Sequence, residues 1–194
     1  TSPVGLVVTM PAMPHMRLRF SSTGSISYDS KHTCVRAYMR AATTVEDKTM
    51  SGPLTGYRVV DFTNVIAGPF ATMILADQGA DVIKVEAPQR PDHTRAVGNG
   101  QRGLRATFLN NNRNKRSVVI DVKTPEGKVA LERLVATADV FIQNFRPGVV
   151  ERLGVDEAAL RKIKEDLIYV SMSGWGENGP FAHKPVYDPI IQAL

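Results

Sequence analysis

Free backbone N–H groups that could hold a phosphate or a carbonyl oxygen, with Asp61 and Glu86 at strand ends beside them, fall in one stretch of this 194-residue chain, Tyr57 to Glu86 (YRVVDFTNVIAGPFATMILADQGADVIKVE). Asp61 follows the β-branched pair Val59-Val60, and a polar turn, Thr63-Asn64, leads into Val65-Ile66-Ala67-Gly68-Pro69. Pro69 suits the first turn of a helix, where a missing N–H costs nothing. The unpaired N–H groups of such a turn attract a phosphate or a carbonyl oxygen. Glu86 closes the next apolar run, where a ribose-binding acid would stand. The glycines that admit a pyrophosphate are missing, because the turn offers only Gly68 between Ala67 and Pro69, so a dinucleotide site is disfavoured. Of the two aspartates in suggestive positions, Asp61 reads as a strand-end residue fixing its turn. Asp188, directly before Pro189, reads as a helix N-cap rather than a nucleophile.

The elements that must position these groups follow from periodicity. Val59 to Phe62 reads as a buried strand, and the spacing of Phe70, Met73 and Ile74 predicts a helix with a narrow apolar face. Gly79 stops that helix, and Asp81–Glu86 forms the second strand of a right-handed parallel βαβ unit. Ala87 to Ala106, rich in Pro and Gly, reads as a long loop carrying Arg90, Arg95, Arg102 and Arg105; a ligand-facing patch and a solvated basic surface fit equally. A strand over Ser117–Val122 precedes Thr124-Pro125-Glu126, a helix start with an N-cap, Pro at N1 and an acid in the first turn. Leu131, Leu134, Val135 and Ala138 supply the buried face of that helix. Val140–Phe145 is the next strand, followed by a short helix over 149–153 ending at Gly154 and another capped by Asp156. Leu167–Met172 reads as a further buried strand, before the glycine-rich loop SGWGENGP and a helix beginning at Asp188. Strands alternating with helices predict an α/β fold: a doubly wound, mostly parallel, Rossmann-like sheet. The last helical pattern stops after about two turns without a stop signal, so the sheet is expected to be incomplete at the C-terminus and the chain to be a fragment.

Composition narrows the functional classes. The hydrophobic content of 43% and charged content of 22% are those of an ordinary globular chain. No apolar run approaches the roughly 18 residues that cross a bilayer, so no membrane partner is expected. The net charge of +5 is uneven: residues 1–50 hold six Lys and Arg against three Asp and Glu, the rest 18 against 16. A nearly balanced folded part gives nucleic-acid binding little support. One cysteine, Cys34, permits no internal disulfide and points to a reducing compartment. Residues 1–50, with five methionines and no sustained period, read as a disordered arm, an organelle-targeting segment, or sequence upstream of a start at Met50; the composition favours the unstructured arm. Residues 51–194 form the expected α/β domain. The expected location is cytoplasmic, or the mitochondrial matrix if the arm is a transit peptide.

The run DFTNVIAGPFATMILADQGADVIKVE, with NRNKRSVVIDVKTPEG, ADVFIQNFRPGVVERLG, SGWGENGP and YDPIIQAL in order, resembles the family III CoA-transferases (CaiB/BaiF type). The likeness covers about Pro53 to Leu194 and implies the N-terminal part of a large CoA-binding α/β domain. The activity it implies moves CoA between an acyl-CoA donor and a carboxylic acid acceptor through an enzyme aspartyl intermediate. That aspartate belongs to a Gly-Asp segment downstream of the tyrosine motif, so no catalytic residue is expected in this chain and the fragment alone should be inactive. Tyr187 is then a substrate-orienting residue; the α-methylacyl-CoA racemase relatives carry a His there, which favours the transferase branch. The resemblance further implies CoA contacts from Val65, Ile66 and Ala67, from Ile120 and Lys123, and from Asn144 and Arg152. Lys123 and Arg152 would neutralise phosphates, and Asn144 would meet the polar arm; each cation alone serves equally as a surface charge. Ile66 stands where formyl-CoA transferase has a Gln, which suits a larger acyl group than formyl or oxalyl. Ala87 replaces a basic residue that often follows the strand-end Glu. CoA enters as a substrate, with no permanently bound cofactor or metal, and an interlocked homodimer is implied for the full-length protein. The alternatives are a racemase-like enzyme and a non-catalytic nucleotide-binding module.

Overall fold

The computed structural model describes residues 52–101 and 104–193, together with three short strands near the N-terminus, β1 (Gly5–Leu6), β2 (Leu18–Phe20) and β3 (Ile26–Ser27). Those three pair antiparallel in the order β1-β2-β3. The rest of the expected 1–50 arm, Cys34 included, lies outside the described residues.

The main sheet has five strands: β4 (Arg58–Phe62), β5 (Asp81–Glu86), β8 (Arg116–Val119), β9 (Val140–Gln143) and β10 (Ile168–Ser171). Their order is β10-β9-β4-β5-β8 and every pair is parallel. Numbered by appearance in this sheet, β4 is first and β10 last, and the strand order reverses between β4 and β9 as in doubly wound folds. Ladder bonds from Ile120 N–H to the Glu86 carbonyl (2.9 Å) and from Met172 N–H to the Gln143 carbonyl (3.0 Å) prolong the outer strands toward their expected ends. The strand expected to be buried at 167–172 is instead an edge: Leu167 is buried, but Ile168 is 57% exposed.

Side chains alternate across β4 and sort the core into two faces. Val60 and Phe62 join Val85, Phe141, Leu160 and Leu167 on one face, covered by α3 (Pro125–Val135), α4 (Val149–Leu153) and α5 (Glu157–Arg161). Leu131, Val135 and Ala138 are fully buried there, as their spacing predicts. Thr124 Oγ1 accepts from Gly127 N–H (3.0 Å) and Asp156 Oδ1 from Ala159 N–H (3.0 Å), so both expected caps form. Phe62, Phe141, Phe145 and Tyr169 chain together with ring centroids 5.1–5.8 Å apart.

The opposite face is covered by α1 (Ala67–Asp77), and its packing differs from the expectation. Met73 is buried, but Phe70 and Ile74 are 48% and 39% exposed; Gly68, Pro69, Thr72 and Ala76 take the inner positions. The helix start sits so close to the sheet that a Cβ on Gly68 would fall 2.4 Å from that of Thr63. Small residues permit that approach and turn the large apolar side chains outward. Gly79, at φ 95°, ends α1 as expected.

The stretch after β5 is also more ordered than a plain loop. It contains a 3-10 turn, His93–Arg95, the hairpin β6 (Gly100–Gln101) and β7 (Leu104–Arg105), and α2 (Ala106–Asn111). At the far end, α6 (Asp188–Gln192) starts with Tyr187 at the N-cap position. Asp188 therefore lies inside the first turn, not at the cap, and its carboxylate accepts from the Gln192 side chain four residues on.

Candidate functional site

The loop between β4 and α1 leaves the carboxyl end of the central strand of the five, beside the crevice where the strand order reverses. Val65 in this loop has φ 71°, an outlier for a β-branched residue. Such strain persists only where surrounding groups over-determine it, and here they come from four separate segments. Thr63 N–H donates to Asp61 Oδ1 (3.1 Å), and the Thr63 carbonyl accepts from Lys84 Nζ (2.9 Å). Asn64 is held from β9: its N–H donates to Asn144 Oδ1 and its carbonyl accepts from Asn144 Nδ2, both at 2.8 Å. Val65 N–H donates to Asp92 Oδ1 (3.2 Å). Beyond the loop, the Pro69 carbonyl in α1 accepts from Lys115 Nζ (2.8 Å).

These clamps are parts of a buried charge network. Asp61, Lys84, Asp92 and Glu86 are each at most 3% exposed. Lys115 Nζ lies 2.9 Å from Asp61 Oδ2, and Lys84 Nζ lies 3.0 Å from Asp92 Oδ2; both pairs are fully enclosed. Lys84 is the one cation at the Asp92 carboxylate among the described residues. Thr72 Oγ1 adds a 2.7 Å bond to Asp61 Oδ2. Arg95 grips Glu86 through Nε (2.8 Å) and Nη2 (2.6 Å) and lies over the Phe108 ring at 3.7 Å. Asp92 N–H also donates to Glu86, 2.9 Å from Oε1. Glu86 is thus engaged within the fold instead of standing free for a ribose, and Arg95 is an internal partner rather than a solvated charge.

The energetics explain the protonation states. Burial acts to raise the carboxyls of Asp61, Glu86 and Asp92. Lys84 and Lys115 around Asp61, Arg95 and Asp92 N–H around Glu86, and Lys84 and Thr94 around Asp92 outweigh burial and hold all three below their ordinary values. For Lys115 burial wins and brings the ammonium down to about 8, against the pull of Asp61.

The residues that the sequence marks for CoA sit along this same edge. Val65, Ile66 and Ala67 form the strained loop and the start of α1, with Ile66 51% exposed. Ile120 and Lys123 follow β8; the Ile120 side chain is buried in the core, and Lys123 is exposed, its N–H donating to Asp121 Oδ1 (3.1 Å). Asn144 follows β9, and Arg152 belongs to α4, its guanidinium beside Gly148. Three inter-strand steps separate the ends of β8 and β9, about 14 Å, so Lys123 and Asn144 stand well apart along the edge. The hydrogen bonds bring only Asn144 to the loop. Tyr187 is 65% exposed at the start of α6.

Lys84, Asp92 and Lys115 escaped the sequence reading. A signal for Lys84 was present, since a Lys in the middle of Asp81–Glu86 interrupts a strand buried on both faces. Asp92 and Lys115 lie in a loop and at a strand start, where no period marks them. Among the described residues, no cluster of three or more His, Cys, Asp or Glu could hold a metal, and no helix is long and apolar enough to cross a membrane.

Residues 54–194 match the model of CoA-transferase family III. The chain is 46% identical over 149 residues to a succinate–glutarate CoA-transferase of Agrobacterium fabrum, covering 73% of this chain and 37% of that one. It is 46% identical over 145 residues to an acetyl-CoA:oxalate CoA-transferase of Acetobacter aceti, covering 74% and 37%. Among solved structures, a CAIB/BAIF family protein from Brucella suis superimposes with TM-score 0.69 at 42% identity, over 74% of this chain and 39% of that one. The match therefore spans somewhat over a third of the length of these relatives.

Proposed function

Because the chain belongs to CoA-transferase family III, we propose that the intact protein moves CoA between an acyl-CoA donor and a carboxylic acid acceptor. The observation that carries this is the family match over residues 54–194, which takes in every element of the main sheet and the clamped loop. CoA would lie along the carboxyl edge, with its pantetheine arm on the backbone of Val65, Ile66 and Ala67 and the backbone at Ile120. Lys123 and Arg152 would approach its phosphates, an arrangement that α/β sheets favour at a switch point.

The chemistry asks for a carboxylate that can become its own leaving group. It attacks the donor thioester to give a mixed anhydride and CoA thiolate; the thiolate then attacks the enzyme's own acyl carbon, breaking the anhydride C–O bond, so that an enzyme-bound thioester forms and the donor acid leaves. The incoming acid then repeats the two steps in reverse. We assign this part to an aspartate, but to none of the buried ones described: Asp61 and Asp92 are held by lysines. Asp188 is engaged with Gln192. Backbone N–H groups at the start of α1 are suited to hold the developing oxyanion. Tyr187 would orient the acyl group, and the exposed Ile66 favours one larger than formyl or oxalyl. We further place the intact protein in a soluble compartment, the cytoplasm or the mitochondrial matrix, as an interlocked homodimer that needs no bound cofactor.

The test is thioester exchange on the intact protein, with succinyl-CoA and free glutarate as probes and mass spectrometry as the readout. Formation of glutaryl-CoA is the expected result. Proton exchange at the α-carbon of a methyl-branched acyl-CoA, without transfer, would move the protein to the racemase branch. Neither reaction, with CoA unbound, would leave the non-catalytic module.

A further inference from the structure

We propose that Asn144 and Asp92 are positioning residues, which hold the loop Thr63–Val65 in its strained shape and act on a CoA ligand only through it. The inference rests on the CoA reading for its functional consequence, but its structural part stands on the contacts alone.

The Asn144 side chain spends one carbonyl lone pair and one amide hydrogen on the backbone of Asn64, each at 2.8 Å, which fixes its plane against the loop. One amide hydrogen and one lone pair stay unspent, so a direct contact with the polar arm of CoA is the alternative that the experiment separates. Asp92 is 1% exposed, so no ligand reaches its carboxylate. Its Oδ1 collects the N–H of Val65 (3.2 Å), the N–H of Thr94 (2.9 Å) and Thr94 Oγ1 (2.7 Å). Lys84 joins the two ends of the device, because its Nζ donates to the Thr63 carbonyl and lies beside Asp92 Oδ2.

Three consecutive residues are therefore fixed by side chains from β5, from the turn after β5 and from the end of β9. Released, Val65 would relax from φ 71° toward the negative φ that a β-branched residue prefers. The exposed Ile66 and the N–H groups that open α1 would turn with it. A glycine at this position adopts either sign of φ without strain, so there the clamp should matter less.

The experiment compares Asn144→Ala in two backgrounds of the intact protein, one unsubstituted at Val65 and one carrying Val65→Gly. Neither change strands a buried charge. CoA affinity is measured by calorimetry, melting temperature by scanning, and hydrogen exchange at the Val65 N–H by NMR. In the unsubstituted background, Asn144→Ala should weaken CoA binding about tenfold. In the Val65→Gly background the loss should shrink to about threefold, a coupling within the range of interacting neighbours. An equal loss in both backgrounds would mean that Asn144 touches CoA directly and would overturn the proposal, as would unchanged affinity in both. Exchange decides the structural part without any ligand. The Val65 N–H bonds to Asp92, not to Asn144, so loop release should speed its exchange about tenfold or more in Asn144→Ala with little change in melting temperature. Unchanged exchange overturns the proposal. Absence of CoA binding in the unsubstituted protein would instead remove the functional reading, and the exchange result would still decide the positioning role. Asp92→Asn, which keeps an acceptor for Val65 N–H, should slow that exchange relative to Asp92→Ala.

Discussion

The two faces of the sheet are built on different physics. The face under α3, α4 and α5 is apolar, with Leu131, Val135, Leu160 and Leu167 against Phe62 and Phe141, all nearly or fully buried. The face under α1 has a small apolar patch of Val59, Ala76, Ala80, Val82 and Ile142, and at its carboxyl end a set of enclosed ion pairs. The first arrangement supplies non-directional stability in proportion to the area withdrawn from water. The second adds little net stability, because desolvating the charges offsets most of their attraction. Its hydrogen bonds have direction, however, and they hold one loop in one shape. The polar face is thus the one that shapes the loop at the carboxyl edge, and the apolar face is the platform that keeps the strand ends in place.

The largest effect should come from breaking one half of an enclosed pair. Lys84→Met would strand Asp92 in a dry site, and we expect a loss of about 3–5 kcal/mol in denaturant unfolding together with weaker CoA binding. On the apolar face, Leu131→Ala should cost about 2–5 kcal/mol of stability and leave the CoA affinity of the folded fraction unchanged. If both variants changed affinity alike, the division of labour between the faces would be wrong.

Acid should act on the polar face first. Asp61, Asp92 and Glu86 have folded-state values below their ordinary 3.8, 3.8 and 4.5. A depressed carboxyl gives its full stabilisation above the unfolded value and loses it as pH falls through the folded one. Stability should therefore hold from neutral pH down to the ordinary carboxyl range and fall steeply once pH drops below 3.8. Thermal melts from neutral pH to about pH 3 check this. A decline that begins well above the carboxyl range would mean that other groups govern it.

The smallest effect is expected where the helical period misled. Phe70→Ser should change stability by less than about 0.5 kcal/mol, as for an exposed site, and should raise solubility. A loss of several kcal/mol would return Phe70 to the core.

That residue also shows where the sequence stopped being legible. The strands, the caps at Thr124 and Asp156 and the stop at Gly79 rest on contacts within a few residues, and the local pattern carries them. The apolar face was legible because Leu131, Val135 and Ala138 repeat at helical spacing. In α1 the spacing of Phe70, Met73 and Ile74 placed Met73 correctly but not Phe70 and Ile74, since the close approach at Gly68 is set by Thr63 across the loop. Asp188 looked like a cap because Pro189 follows it, but the helix begins one residue earlier than that pattern assumes. Beyond the misplaced Lys84, the pairings of the network left no local trace, as Lys115 and Asp61 are 54 residues apart and Asn144 and Asn64 are 80 apart.

The central claim, that CoA lies along this carboxyl edge, is tested most directly by calorimetric titration of CoA into the intact protein and its Lys123→Ala and Arg152→Ala variants. Each charge-assisted contact is worth roughly 1.5–3 kcal/mol, so each variant should bind on the order of tenfold to a hundredfold more weakly. The loss should be greater at low salt than at high salt. Unchanged affinity in both variants would contradict the account.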